Sequence, residues 1–145
     1  ALSGLAQSDD WVLVHDMARP CVTSLDIMNL INSLKGHPAG GLLAIQINET
    51  LKTVTPDNYV KETVDRDCYR LAQTPQMFRY GLLRDAIQLM LHEQKMPTDE
   101  ASAMEYSQHK VLTVEGRHDN IKITRREDLM IAEVILMNQE KQRCE

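Results

Sequence analysis

The chain has 145 residues, a length that suits one domain, and 43% of them are hydrophobic but only 4% aromatic, so aliphatic side chains and Met must build the core. A formal net charge of -5 argues against a nucleic-acid surface, which shows as a basic stripe. No apolar run approaches the roughly 20 residues of a membrane span. Ala1 to Asp10 lacks the basic region and apolar stretch of a signal peptide, and reads as a helix end and loop cut from a longer protein. Cys21, Cys68 and Cys144 are widely spaced and form no CxxC pair, so they are expected to be reduced thiols of a cytoplasmic protein rather than zinc ligands.

Trp11 to His15 is a short apolar run of the kind found in fully buried strands of parallel sheets. Pro20 ends any ladder beyond it. Thr23, with Asp26 three residues on, predicts a capped helix whose apolar face is Leu25, Met28, Ile31 and Leu34. Gly36, Pro38, Gly40 and Gly41 close that helix, and Leu42 to Ile47 reads as a second buried strand. Two β-prone runs, Thr50 to Thr55 and Tyr59 to Val64, flank Pro56-Asp57-Asn58, which is turn chemistry. This hairpin has few large apolar residues, so it reads as an arm, at about 48–67, that projects and packs on a second subunit.

Tyr69 to Gln73 reads as a short strand stopped by Thr74-Pro75-Gln76. A helix from about Tyr80 to Glu93 follows, with Leu83, Ala86, Ile87, Met90 and Leu91 at helical spacing. Thr98 is the expected N-cap of another helix. Val111 to Val114 and Asn120 to Ile123 are short extended pieces, and Thr124 with Glu127 predicts a capping box for the last helix, to about Gln142. The alternation gives one α/β domain over 1–145 with a mostly parallel sheet.

Ligands of open α/β sheets bind beyond the carboxyl ends of strands. Asp16 and Arg19 fall there, as phosphate- or metal-directed groups or as a structural ion pair. Lys122, between Ile121 and Ile123 of an extended piece, points away from them and is either a phosphate-binding point charge or a solvated lysine. Thr98-Asp99-Glu100 opens a helix whose amides suit a phosphate, although two acids oppose one and capping alone explains them. Arg66 and Thr50 stand at the two bases of the arm, where a solvated arginine and a strand-forming threonine are the plain alternatives. His15 is expected to be packed or hydrogen-bonded, and no histidine has metal-like spacing.

Taken together, Val14-His15-Asp16-Met17-Ala18-Arg19-Pro20, Ala72 to Phe78, Thr98 to Ala103, Val114-Glu115-Gly116 and Asp119 to Thr124 closely resemble, in this order, the motifs of bacterial 2-C-methyl-D-erythritol 4-phosphate cytidylyltransferases. The similarity runs from about Leu5 to Leu136. It implies a partial Rossmann-like nucleotidyltransferase fold with a projecting β-hairpin arm. The implied reaction transfers CMP from CTP to methylerythritol phosphate, in isoprenoid precursor synthesis, with Mg²⁺ bound largely through the CTP phosphates. The resemblance implies that Asp16, Arg19, Thr50, Arg66, Thr74, Thr98 and Lys122 line the acceptor pocket. It casts Lys122, Arg66 and Asp16 as catalytic, and puts Asp16, Met17 and Lys122 beside the nucleotide, with Met17 where the family typically has Ala. It also implies a homodimer in which the arm completes the partner's site.

The family opens with a Gly-rich loop that wraps the CTP phosphates, and none of Gly4, Gly36, Gly40, Gly41, Gly81 and Gly116 forms that pattern. The chain alone is therefore expected to bind CTP poorly and to turn over negligibly. Two alternatives stay open: a non-catalytic dimerising, substrate-binding module, and a ribitol 5-phosphate cytidylyltransferase.

Overall fold

A computed structural model describes residues 4–143; Cys144 and the start at Ala1 lie outside the described residues. The chain order is β1 (Trp11–Val14), α1 (Ser24–Leu34), β2 (Gly40–Gln46), β3 (Leu51–Val54), β4 (Val60–Val64), a 3₁₀ turn (Arg66–Cys68), β5 (Arg70–Arg79), α2 (Tyr80–His92), α3 (Glu100–Tyr106), β6 (Leu112–Glu115) and α4 (Arg126–Arg143). The segment before β1 forms turns among its described residues, with the Gln7 amide donating to Asp10 and the Asp10 amide to the Gln7 carbonyl.

The main sheet has the order β1-β5-β2-β6, and β3-β4 is a separate two-stranded sheet. The α/β class is as expected, but the pairing is mixed. Strands β1, β2 and β6 run one way, β6 directly beside β2, whereas β5 is antiparallel to both β1 and β2. The cause is the arm: after β2 the chain leaves through β3-β4 and returns along the strand it left, as a long hairpin does.

Strand periodicity divides the core between the two faces of the sheet. Leu42 and Phe78 pack with Leu83, Ala86, Met90, Ala101 and Met104 under α2 and α3. Their neighbours Leu43 and Met77 pack with Leu30 and Leu34 under α1. Covered on both faces, β2 is buried along all but its last residue. Strand β1 differs from the expectation: it is an edge strand, only half-buried, with Leu13 exposed.

Gly40 and Gly41 belong to β2 rather than to a loop. Gly40 has φ +139°, and a Cβ there would enter the Met77 carbonyl; one on Gly41 would enter the Leu112 carbonyl of the neighbouring strand. Pro75 does not stop β5. Leu42 pairs with Gln76 and Ala44 with Ala72, so Gln73, Thr74 and Pro75 form a bulge in which a residue without an N–H is tolerated.

Helix α1 is capped as expected, with reciprocal bonds between Thr23 and Asp26. Asp26 is buried; it accepts from the Thr23 amide and hydroxyl and faces Arg117 at 3.5 Å. The buried stripe is Leu30 and Leu34, while Leu25 and Met28 are exposed, as is Leu91 on α2. The buried face of α1 runs along Asp26, Leu30 and Leu34, so Leu25 and Met28 fall on its solvent side. The N-cap of α3 is Asp99, not Thr98, paired with Ser102. At α4 the acidic partner of Thr124 is Asp128, not Glu127.

Two outcomes follow from these contacts. Gly41→Ala should cost about 3 kcal/mol, the upper end for overpacking, because the clash is with backbone; an unchanged urea midpoint would contradict the strand packing. The Asp128 carboxyl is held below its ordinary range by the Thr124 amide and then the Arg125 amide. A depressed folded pKa contributes stability above the unfolded value and loses it as pH falls through the folded one. The protection factors of amides at the first turn of α4, exchange rates corrected for the intrinsic pH dependence, should therefore fall on acidification, and Asp128→Asn should abolish that fall.

Candidate functional site

Strands β1 and β6 end at the same end of the sheet, and each hands its chain to a loop leading into a helix. Between these two loops stands the β5 bulge. Asp16, Arg19, Thr74 and Lys122 meet there.

Asp16 is the centre of the cluster. Its carboxylate lies 2.9 Å from Lys122 Nζ and 3.9 Å from Arg19 Nε. Its amide donates to the Thr74 hydroxyl at 3.0 Å. That hydroxyl also pairs with His15 Nδ1 at 3.0 Å, and His15 Nε2 pairs with the Arg19 carbonyl at 3.1 Å. A carbonyl only accepts, so Nε2 carries the proton; in the neutral ring Nδ1 then accepts from Thr74. His15 is hydrogen-bonded, as expected, and Thr74 uses its hydroxyl to shape the turn that presents Asp16.

Arg19 is the most enclosed cation, its side chain only 11% exposed. Its guanidinium donates to the Asn120 carbonyl at 2.7 Å and to the Ala72 carbonyl at 3.3 Å. Its Nε is buried without a hydrogen-bond partner among the described residues. Burial lowers its pKa from the ordinary value, and the Asp16 carboxylate opposes that shift. An arginine keeps its proton regardless. The site therefore holds a positive charge that one shared carboxylate only partly balances. Lys122 is different: half-exposed, on an irregular segment where Ile121 and Ile123 are more buried than Lys122 itself. The Ile123 amide ties this segment to the Ala18 carbonyl at 2.8 Å. It is not a strand, contrary to the extended element expected there.

The remaining expected residues stand apart. Met17 is almost fully exposed, and Thr98 is exposed ahead of α3, its amide bound to Ser102 Oγ. The Asp99 carboxylate already occupies the N-terminus of α3. Thr50 and Arg66 lie at the arm bases, and Arg66 donates to the Asn48 carbonyl. Among the described residues no hydrogen bond or ion pair joins the arm to the cluster. Yet the arm leaves from the end of β2 that lies nearest the cluster, since β1, β2 and β6 point the same way. Concavities of about 480, 440 and 410 Å³ lie elsewhere, and neither Asp16 nor Lys122 lines these three. In one chain the cluster is open to solvent on one side.

Gln73 and Asn120, both buried, were not singled out from the sequence. Gln73 donates to the Arg117 carbonyl at 2.8 Å, and Asn120 donates to the Thr74 carbonyl at 2.9 Å. Their position within the motif runs was the only available signal. Asp16 is the cluster's single carboxylate, and no group of three or more His, Cys, Asp or Glu able to hold a metal occurs among the described residues. These side chains do not form a metal cage.

Comparison with known proteins gives a consistent picture. Residues 1–138 match the family described as 2-C-methyl-D-erythritol 4-phosphate cytidylyltransferase. A curated protein of that name from Vesicomyosocius okutanii is 47% identical over 136 residues, covering 94% of this chain and 56% of the relative. One from Pseudomonas aeruginosa is 51% identical over 125 residues, covering 86% and 53%. The crystal structure of the Francisella tularensis enzyme of that name has a TM-score of 0.81 at 42% identity, covering 90% of this chain and 61% of that one. A crystal structure of 4-diphosphocytidyl-2C-methyl-D-erythritol synthase from Anaerococcus prevotii has a TM-score of 0.82 at 31% identity, covering 94% and 63%. The chain thus spans about half the length of the curated relatives it matches.

The Asp16–Lys122 pair is half-exposed, and such pairs contribute about 0–1 kcal/mol. Lys122→Ala should therefore leave the denaturation free energy within about 1 kcal/mol of the parent. A larger loss would make Lys122 a structural residue.

Proposed function

This chain belongs to the 2-C-methyl-D-erythritol 4-phosphate cytidylyltransferase family, and on that premise we propose that it supplies the acceptor-binding part of an enzyme that transfers CMP from CTP to methylerythritol phosphate. The single observation that carries the reading is the meeting of Asp16, Arg19 and Lys122 at one end of the sheet, with more positive charge than one carboxylate balances.

The proposed chemistry uses each group at a stated atom. A phosphate oxygen of the acceptor attacks the α-phosphorus of CTP in line; the bond to the β-phosphate oxygen breaks and pyrophosphate leaves. The attacking oxygen is already ionised, so no general base is required. What the protein must supply is position and positive charge. Lys122 exchanges the Asp16 carboxylate for the acceptor phosphate, a cheap exchange because an exposed ion pair is weak. Arg19 stays enclosed and keeps the field of the pocket positive. Asp16 pairs with both cations and offsets their mutual repulsion while the site is empty of ligand.

Mg²⁺ would reach this site on the CTP phosphates rather than on a protein cage, which accords with its preference for one or two carboxylates plus substrate oxygens. When bound it supplies charge neutralisation on the triphosphate. The nucleotide phosphates would be held by a segment outside this chain, since its glycines form no Gly-rich loop and Gly40 and Gly41 serve strand packing. Arg66 and Thr50 would act across a homodimer. Supporting this, the arm leaves Val54, Tyr59 and Val60 exposed, and its two strands bury little against each other. The free thiols Cys21 and Cys68 accord with a cytoplasmic enzyme. No described helix is long and apolar enough to cross a membrane. The relatives above are named for methylerythritol phosphate, which supports that acceptor over ribitol 5-phosphate.

In a polypeptide of the family's full length carrying this segment, pyrophosphate release with CTP and methylerythritol phosphate should fall roughly 100- to 1,000-fold on Lys122→Ala, the range for losing one preorganised electrostatic group. Unchanged turnover would overturn the reading. Arg66→Ala should be similarly impaired. Mixing the two inactive variants should restore about a quarter of the activity, because half of the dimers then carry one intact shared site. No recovery, with mixed dimers formed, would place Arg66 in its own subunit's site.

A further inference from the structure

The segment carrying Lys122 has no ladder to hold it. Residues 116–125 connect β6 to α4 without regular structure. Something else must fix where Lys122 stands relative to Asp16, since a free ten-residue loop would scatter a lysine head group over many ångströms.

Asn120 is fully buried, which is rare for its residue type. Its side-chain amide donates to the Thr74 carbonyl in the β5 bulge at 2.9 Å. Its own carbonyl accepts from the Arg19 guanidinium at 2.7 Å and, more weakly, from the Gln73 amide at 3.4 Å. Gln73 secures the start of the same turn through the Arg117 carbonyl at 2.8 Å, and a Cβ on Gly116 would collide with that Gln73 side chain. The Asn120 amide closes the turn onto the Arg117 carbonyl at 3.1 Å. One residue thus contacts the bulge, the loop after β1 and its own loop. The three segments that carry Thr74, Arg19 and Lys122 are joined at that point.

We propose that Asn120 is a positioning residue, which sets Lys122 and Arg19 at the spacing an acceptor phosphate requires. It touches no reacting atom. A polar side chain is used here because it pairs the Thr74 carbonyl of the bulge, which an apolar residue would leave buried and unpaired at a cost of about 1–3 kcal/mol; the contacts to Arg19 and Arg117 are made by the Asn120 backbone that this side chain anchors. Gln73 supports the same turn from its other end and does not reach Arg19, so its removal should matter less. The placement itself is independent of the enzyme assignment; its consequence for CMP transfer rests on the reading above.

The test measures Lys122 directly. Under native conditions, well below the unfolding midpoint, the rate at which an amine-acylating reagent modifies each lysine is followed by mass spectrometry. In the parent chain Lys122 is held against Asp16. Asn120→Ala should raise its labelling roughly 2- to 5-fold, the protection an exposed ion pair gives, while Lys35 on the far end of α1 stays at its parent rate. Asn120→Leu, nearly the same shape without the donor and without a new charge, provides the same comparison where the alanine variant fails to fold. Leu83→Ala destabilises the core under α2 and should leave Lys122 labelling unchanged. A parent-like Lys122 rate in the Asn120 variants overturns the proposal, and so does an equal rise in Leu83→Ala. If the labelling responds but Lys122→Ala leaves CMP transfer intact, the placement stands and the assignment of Lys122 to the acceptor phosphate fails.

Discussion

One carboxylate, Asp16, faces two cations across the end of a parallel pair of strand directions. The three charged groups come from loops that share no secondary structure. Asp16 and Arg19 follow β1, and Lys122 follows β6, three positions away in the sheet order. Bringing them within ion-pair distance needs the β5 bulge between them, whose carbonyls and hydroxyl receive the hydrogen bonds from either side. A regular ladder through Thr74 would have turned those carbonyls toward β2 and left neither loop an anchor.

Core and site obey different energetic rules as a result. Leu42, Leu43, Met77 and Phe78 are buried on opposite faces and hold α1, α2 and α3 in place. Each is worth roughly 1.5–3 kcal/mol of apolar burial. The charged cluster contributes little of that kind, being half-exposed at Asp16 and Lys122. Little is lost when a ligand breaks such a pair, so the sheet can stay rigid while the ion pairs exchange. Arg19 is the exception: enclosed and tied to two carbonyls, it acts as a fixed source of positive charge rather than an exchanging one.

Much of this was legible from the residues. The Thr23–Asp26 box, the buried run from Leu42 and the Pro56-Asp57-Asn58 turn follow from local rules, and local contacts decide them. Most of the errors share one origin, which is tertiary context; the capping errors are local. Gly40 and Gly41 look like loop glycines, but they are needed where β5 and β6 approach the β2 backbone closely. Pro75 looks like a strand stop, but a bulge accommodates it. Leu25, Met28 and Leu91 have helical spacing yet fall on the solvent side of their helices. Asp128 and Asp99 took the capping roles assigned to neighbours because several acids or hydroxyls competed for one set of amides. Asp16, Arg19 and Lys122 could be named from position and from the motifs they share with the family. Asn120 and Gln73 could not, because a buried amide looks in sequence like a solvated one.

Everything functional depends on Lys122 leaving Asp16 for the acceptor. The most direct measurement is a crystal structure of the family-length polypeptide carrying this segment with methylerythritol phosphate bound. The expected result is the acceptor phosphate in hydrogen-bond contact with Lys122 Nζ, close to Arg19, with the Lys122–Asp16 contact opened. A phosphate seated elsewhere, with Lys122 still paired to Asp16, would contradict it.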